Sequence, residues 1–372
     1  MNLDPEKIYQ IALTMIPKIG DVSIRQLISY CGSASAVFEA KPHKLLKIPG
    51  IGKVLSENIQ NKSVLEKAQT QLDLSLKHNA QMLFYTDAAY PKRMKQLYDA
   101  PVMMYYKGNA DLNQTKTIAI VGTRQVTEYG KMVTDQIVAE LSVFNPLIVS
   151  GLAYGVDIVA HKSALKNKIQ TVGVMASGLD FIYPFQHKST SEAMVGQGGI
   201  LTEYQFGVQP FPKYFPQRNR IIAGMTDLTI VVEASPKGGA LITAEFANNY
   251  HRDVFAVPGQ LGKSFSEGCN QLIKSNKAQI YTSVNDIVEA LNWDLDETAG
   301  SKNIADDFEE KLASYSNEEA LVLATLKQNK EIMIDDLAWK TQMYMPKLSS
   351  LLLNFEFQGI VKSLPGKRYS LV

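Results

Sequence analysis

A doubly wound α/β fold with a mostly parallel sheet is what this sequence predicts, with a helical unit before the sheet and a small helix-and-hairpin unit after it. Three observations predict it. From about residue 80, short apolar runs alternate with stretches of helix length, the pattern of βαβ units whose strands are covered on both faces. Residues 1–78 place apolar side chains at helical spacing and show no strand-like run. Beyond an acidic, polar stretch near Leu295–Phe308, three helical patterns precede two short strand patterns around a Pro-Gly turn.

The bulk properties agree. A chain of 372 residues exceeds one ordinary core, so two or three domains are expected. With 45% hydrophobic and 20% charged residues it is a folded globular protein. No run of about eighteen apolar residues would span a membrane. The start, Met1-Asn2-Leu3-Asp4-Pro5-Glu6, lacks the basic-then-apolar order of a signal peptide, so a cytoplasmic protein is expected. Cys31 and Cys269 stand far apart without metal-ligand spacing, which fits buried thiols in a reducing cytosol and no metal site. The net charge of +1 argues mildly against a nucleic-acid binder, although a groove can be basic on a neutral protein.

In chain order, residues 1–78 are predicted as one domain. Ile8, Ile11, Ala12 and Met15 fall on one helical face, as do Val54, Leu55 and Ile59, then Leu65, Ala68 and Leu72. Two turns interrupt these helices, Ile16-Pro17-Lys18-Ile19-Gly20 and Ile48-Pro49-Gly50-Ile51-Gly52-Lys53. Glycines in a tight turn before a helix let backbone N–H groups face a phosphate. A mere helix connector is the alternative, and the second copy favours a helix-hairpin-helix.

Residues 79–293 are predicted as a Rossmann-like domain. Its strands are Met82–Tyr85, Val102–Tyr106, Thr117–Val121, Leu147–Ser150, Thr171–Met175, Gly199–Glu203, Leu228–Glu233 and Val254–Val257. Helices are expected over Lys131–Leu141, Val156–Leu165 and Ala240–Asn249. A linker, 294–310, then leads to a domain over 311–372 whose element order is that of a winged helix. Its third helix, Pro346–Phe357, is too poor in Arg, Lys, Asn and Gln for reading base edges, so a protein-interaction role is at least as well supported.

The chemistry lies at strand ends, where parallel sheets bind ligands. Gly122-Thr123-Arg124 offers close backbone approach, a hydroxyl and a phosphate-binding fork. The dinucleotide fingerprint Gly-x-Gly-x-x-Gly is absent and no acid closes the next strand, so no nicotinamide or flavin cofactor is expected. Ser150-Gly151 and the residues up to Asp157 form a second anion cradle, with Asp157 orienting a helix start and His161 packing. The loop Gly178–Pro184 follows the third strand. In Phe211–Gly224, the cations Lys213, Arg218 and Arg220 interleave with Tyr214 and Phe215, as a single strand of nucleic acid requires. The other reading is a proline-bounded loop with core aromatics and solvated cations. Lys237, Gly238 and Gly239 open a further helix. This turn loosely resembles the loop of nucleoside-monophosphate phosphoribohydrolases, which would make Glu245 an acid or base.

Taken together, Val121-Gly122-Thr123-Arg124, Ser150–Asp157, Gly178–Pro184, Arg218–Gly224, Lys237–Ala247 and Val257-Pro258-Gly259 resemble the DNA-processing protein A (DprA/Smf) family over about residues 80–290. The resemblance implies a non-catalytic recombination mediator. Such a protein binds incoming single-stranded DNA, protects it and loads the RecA recombinase during natural transformation. It also implies a homodimer formed through the Rossmann-like domain. The DNA site would comprise Gly122, Thr123, Arg124, Ser150, Gly151, Tyr154, Lys213, Phe215, Arg218, Asn219, Arg220, Lys237, Gly238 and Gly239. Many family members have Arg where this chain has Tyr154, so a cationic contact is lost there or replaced by stacking.

Overall fold

A computed structural model describes residues 5–293, 315–329, 332–357, 360–364 and 368–371. The chain divides into two units, residues 1–294 and 295–372. The linker 294–310 and the turn residues 365–367 lie outside the described residues.

The first unit is built on a nine-stranded sheet. Its strands are β1 Gln81–Phe84, β2 Met103–Gly108, β3 Thr117–Val121, β4 Leu147–Ser150, β5 Thr171–Val174, β6 Gly198–Thr202, β7 Leu228–Val231, β8 Asp253–Ala256 and β9 Gln279–Ile280. They lie in the order β1-β2-β6-β5-β4-β3-β7-β8-β9. From β6 to β9 every pairing is parallel, whereas β1 and β2 join as antiparallel edge strands. Every residue of β3, β4, β5 and β7 is buried, as expected of strands covered on both faces.

Alternation along β3 divides the core. Ile118 and Ile120 pack with Ile137, Val138 and Ala160 of the helices Glu128–Leu141 and Val156–Lys166. Ala119 and Val121 face the opposite way, towards Ile221, Ile222, Ala244 and Ala247 of the helices Tyr214–Met225 and Gly239–Asn249. The chain winds outward from β3 through β4 and β5 to β6, then returns to set β7 on the other side of β3. This reversal leaves a crevice at the carboxyl ends of β3 and β7.

The amino-terminal helices do not enclose a core of their own. Ile11, Leu13, Leu27, Val37, Ile59 and Leu72 share one apolar cluster with Met82, Phe84, Met103, Tyr105 and Ile200 of the sheet. Elements that the sequence reading lacked lie at the far edge: β9 and the helices Ser264–Lys274 and Val284–Leu291. Both residues of β9 are exposed, and a two-residue exposed strand leaves no apolar run to detect.

The second unit has the winged-helix order. The helices Asn317–Gln328, Ile334–Thr341 and Met345–Phe357 accompany β10 Ile332–Met333, β11 Val361–Leu364 and β12 Arg368–Leu371, with β12 central. Val322, Leu326, Leu337, Leu348, Leu352 and Phe355 form its core. Lys347, the one basic residue of the third helix, pairs with Glu318 at 2.5 Å. Among the described residues, no helix is long and apolar enough to cross a membrane.

Candidate nucleic-acid interface

A groove of about 500 Å³ opens at the β3/β7 crevice, lined by residues that include Gly122, Thr123, Arg124, Phe215, Asn219 and Gly239. Gly151, Tyr154, Tyr183 and Phe215 line a smaller hollow beside it that also includes Arg124. The helices Tyr214–Met225 and Gly239–Asn249 both begin at the groove, so two positive helix ends face its space. The geometry favours an extended anion.

The rim is cationic and aromatic. Arg124 is exposed, and its guanidinium sits 5.2 Å from the centroid of the Phe215 ring. Tyr183 meets Phe215 edge-on at 5.5 Å, which continues the ladder. Tyr154 donates to Gln186 Oε1 at 2.8 Å and lies edge-on to His187 at 5.0 Å. Lys213 is exposed but, like Lys237, lies outside the groove lining, with its ammonium over the rings of Phe211 and Tyr214 at 5.7 and 5.4 Å. Asn219 donates to the Gly239 carbonyl at 3.2 Å and thereby ties the middle of the helix Tyr214–Met225 to the start of the helix Gly239–Asn249.

Several residues expected at the interface have other roles. Ser150 is fully buried and donates to the Ile120 carbonyl at 2.6 Å, bracing β4 against β3 instead of facing the groove. Arg218 reaches the groove floor but is only 3% exposed, with its guanidinium held by the carbonyls of Gly151 and Val174. Arg220 lies on another side of the same helix, paired with Glu203 and the Asp99 carbonyl, and does not line the groove. Lys237 is exposed but outside the lining, whereas Gly238 and Gly239 belong to it. The expected basic arm is a helix, and helical rotation sends its cations in different directions.

Below the rim, Asp157 accepts from the backbone N–H groups of Gly151 (3.1 Å) and Ala153 (3.4 Å). Burial pushes its carboxyl up, opposed by Arg218 and these donors. Burial likewise pulls Arg218 down to about 10, with Asp157 opposing. A Cβ at Gly151 would strike both groups, so glycine there keeps the guanidinium and carboxylate close. At Gly122 the space is filled by Val156, and Thr123 N–H donates to the Glu233 carbonyl at 2.7 Å. His161 is buried with Nδ1 2.7 Å from Thr171 Oγ1, a packing role as expected. Glu245 pairs with Lys277 at 2.8 Å, half-exposed and outside the groove lining, so the phosphoribohydrolase reading loses its acid.

Tyr183 is the functional candidate that sequence reasoning left unassigned. Its signal was an aromatic in a turn at a third strand's carboxyl end, beside two glycine-bearing neighbours.

A Rossmann-like sheet with a cationic, aromatic crevice, together with helix-hairpin-helix and winged-helix parts, defines a multidomain protein of the DNA-handling kind. The family model for DNA recombination-mediator protein A matches residues 81–292, the DprA winged helix domain matches 307–367, and a SAM-like helix-hairpin-helix tandem matches 11–62. The chain belongs to the DNA-processing protein A (DprA/Smf) family. Protein Smf of Synechocystis is 32% identical, with 98% of each chain covered. The DNA processing protein DprA of Streptococcus pneumoniae is 41% identical over 54% of this chain and 71% of its own length. The solved structure of the S. pneumoniae protein superimposes with a TM-score of 0.63 at 32% identity, covering 78% of this chain and 98% of that one. That of Helicobacter pylori DNA processing protein A, described for its single-stranded DNA binding mode, has a TM-score of 0.52 at 31% identity, with 57% and 95% covered.

Proposed function

We propose that this chain binds single-stranded DNA in the sheet-edge groove as a non-catalytic, cytoplasmic recombination mediator that protects incoming DNA and loads RecA during natural transformation. The Arg124–Phe215–Tyr183 ladder carries this reading. A guanidinium held over one ring and a second ring at its edge offer phosphate charge and flat faces side by side. The single-stranded DNA mode described for the H. pylori relative supports it. RecA loading rests on family membership. Homodimerisation through the Rossmann-like unit is supported by the open edge of β9, where Gln279 and Ile280 are exposed.

Fluorescence anisotropy with labelled oligo-dT and a blunt duplex, at two salt concentrations, tests the proposal. Oligo-dT is expected to bind more tightly, because only unpaired bases can stack on Phe215. Its affinity should fall with salt by a log–log slope of about 0.7 per phosphate contacted. Equal affinities for the two probes would sink the reading.

A further inference from the structure

The aromatic wall of the groove depends on how one helix is rolled about its own axis. Phe215, in the first turn of Tyr214–Met225, meets both Arg124 and Tyr183 at the rotation the helix adopts. Two arginines farther along hold it from nearly opposite sides, because residues two apart are separated by about 200° around a helix. Arg218 bonds the carbonyls of Gly151 and Val174, at the ends of β4 and β5. Arg220 bonds Glu203, which follows β6, and the Asp99 carbonyl. Tyr204, next to Glu203, lies against Tyr214 with ring centroids 4.5 Å apart. The end of β6 thus holds the helix at its first turn and again at its middle.

The Glu203–Arg220 pair is largely buried, each side chain 14% exposed. Among the described residues, Glu203 takes its hydrogen bond from Arg220 alone. Two more acids face it, Asp21 from the helix Asp21–Cys31 and Asp99 from the turn ahead of β2. Each of these has a donor of its own, the Val102 N–H at 2.9 Å for Asp21 and the Tyr250 hydroxyl at 2.7 Å for Asp99. Tyr90 and Tyr204 also face Glu203. Arg25, the other cation of this junction, is turned to the Ala100 carbonyl and the Tyr85 ring. Burial pushes the Glu203 carboxyl up to about 7, with Arg220 opposing and the two aspartates adding to the rise.

We propose that Glu203 is a positioning residue for the groove: ionised, it holds Arg220 and with it the roll of the helix that sets Phe215 beside Arg124. Protonated, it offers Arg220 a neutral oxygen in place of a carboxylate. The anchor at Arg218 persists, so the helix stays in place but can turn about that side, and Phe215 loses its fixed relation to Arg124. This role rests on the reading of the groove as a single-strand site. Single-strand binding is then coupled to release of a proton from Glu203, and affinity falls as pH falls. Protonation of histidines works in the opposite direction, since added positive charge strengthens the hold on a polyanion.

Anisotropy titrations of labelled oligo-dT with the full chain at pH 8 and pH 6, at constant ionic strength, test this. A group centred near 7 passes from about nine-tenths to about one-tenth ionised over that interval, so the Kd of the parent should rise about ten-fold. Glu203→Gln is expected to bind at pH 8 as weakly as the parent does at pH 6, with little change between the two. It should fold, because the parent at pH 6 already carries the neutral acid, and matching thermal melts at pH 6 check this. Arg220→Gln should behave alike, and the double variant should bind no more weakly than either single one, as two residues acting as a unit do. Phe215→Ala separates the two readings. If it weakens oligo-dT while Glu203→Gln keeps the affinity and pH profile of the parent, the positioning role is overturned and the groove reading stands. If neither variant changes oligo-dT binding, both fall. A parent affinity that holds level or rises from pH 8 to pH 6 would also overturn the role of Glu203.

Discussion

At the rim of the sheet-edge groove Arg124 lies exposed over Phe215, whereas on the floor Arg218 is buried between the carbonyls of Gly151 and Val174. Both are arginines lining one crevice. The rim guanidinium meets solvent and a ring face, so its charge remains available to a phosphate. The floor guanidinium has backbone carbonyls and the nearby Asp157 carboxylate as partners, so its charge is largely answered inside the protein. A cation is a ligand contact only where the fold leaves its partners to come from outside.

The comparison is most easily broken at Arg218. Arg218→Met removes the cation beside a buried Asp157 and is expected to cost about 3–5 kcal/mol of stability, read from urea unfolding. If this variant instead unfolded like the parent and merely lost DNA, floor and rim would be the same kind of site. Phe215→Ala should leave the melt nearly unchanged and weaken oligo-dT by about 1–3 kcal/mol, the usual loss of one stacked base. Titration by anisotropy measures it, and an unaltered Kd would remove the ladder from the interface. Arg124→Ala should raise the Kd about ten-fold, roughly 1.4 kcal/mol, equally for dT and mixed sequences, because a phosphate contact does not read bases.

The smallest effect sharpens the floor. Burial, together with the charges of Arg218 and His187, pulls His161 from its ordinary 6.5 down to about 3. Its folded value lies below its unfolded one, so its stabilising contribution is complete above pH 6.5 and is lost as pH falls towards 3. Between pH 7 and 5.5 this amounts to about 1 kcal/mol, since one pKa unit is about 1.4 kcal/mol. Denaturant midpoints at the two pH values should show it in the parent and not in His161→Leu. An equal pH dependence in both proteins would mean that the imidazole takes up its proton without unfolding.

Much of the first unit was legible in the sequence because parallel strands buried on both faces must be nearly continuous apolar runs. β3 and β4 fall at the residues expected, and Gly122-Thr123-Arg124 reaches the groove as predicted. The run from Lys213 to Arg220 was not legible as a helix, since Pro212 and Pro216 look like loop punctuation. Pro216 sits in the first turn, where a missing N–H leaves no helical bond unmade. Helical rotation then places Phe215, Arg218 and Ile222 on the groove side, at spacings of three and four, and carries Arg220 round to Glu203. Ser150 misled for a related reason. A hydroxyl at a strand end is equally suited to a ligand or to the neighbouring strand's carbonyl.

The sequence by itself determined the α/β order, the strand ends at which the groove had to open, and the residue types able to hold a polyanion there. These follow from local periodicity and side-chain chemistry, which travel with the chain. Only the tertiary structure decided which cations stay available. Arg124 remains free because Phe215 approaches it from another element. Arg218 and Arg220 are withdrawn because Asp157 and Glu203, distant in sequence, come to lie beside them. Charge availability depends on burial and on partners across the fold, and neither is written in any single segment.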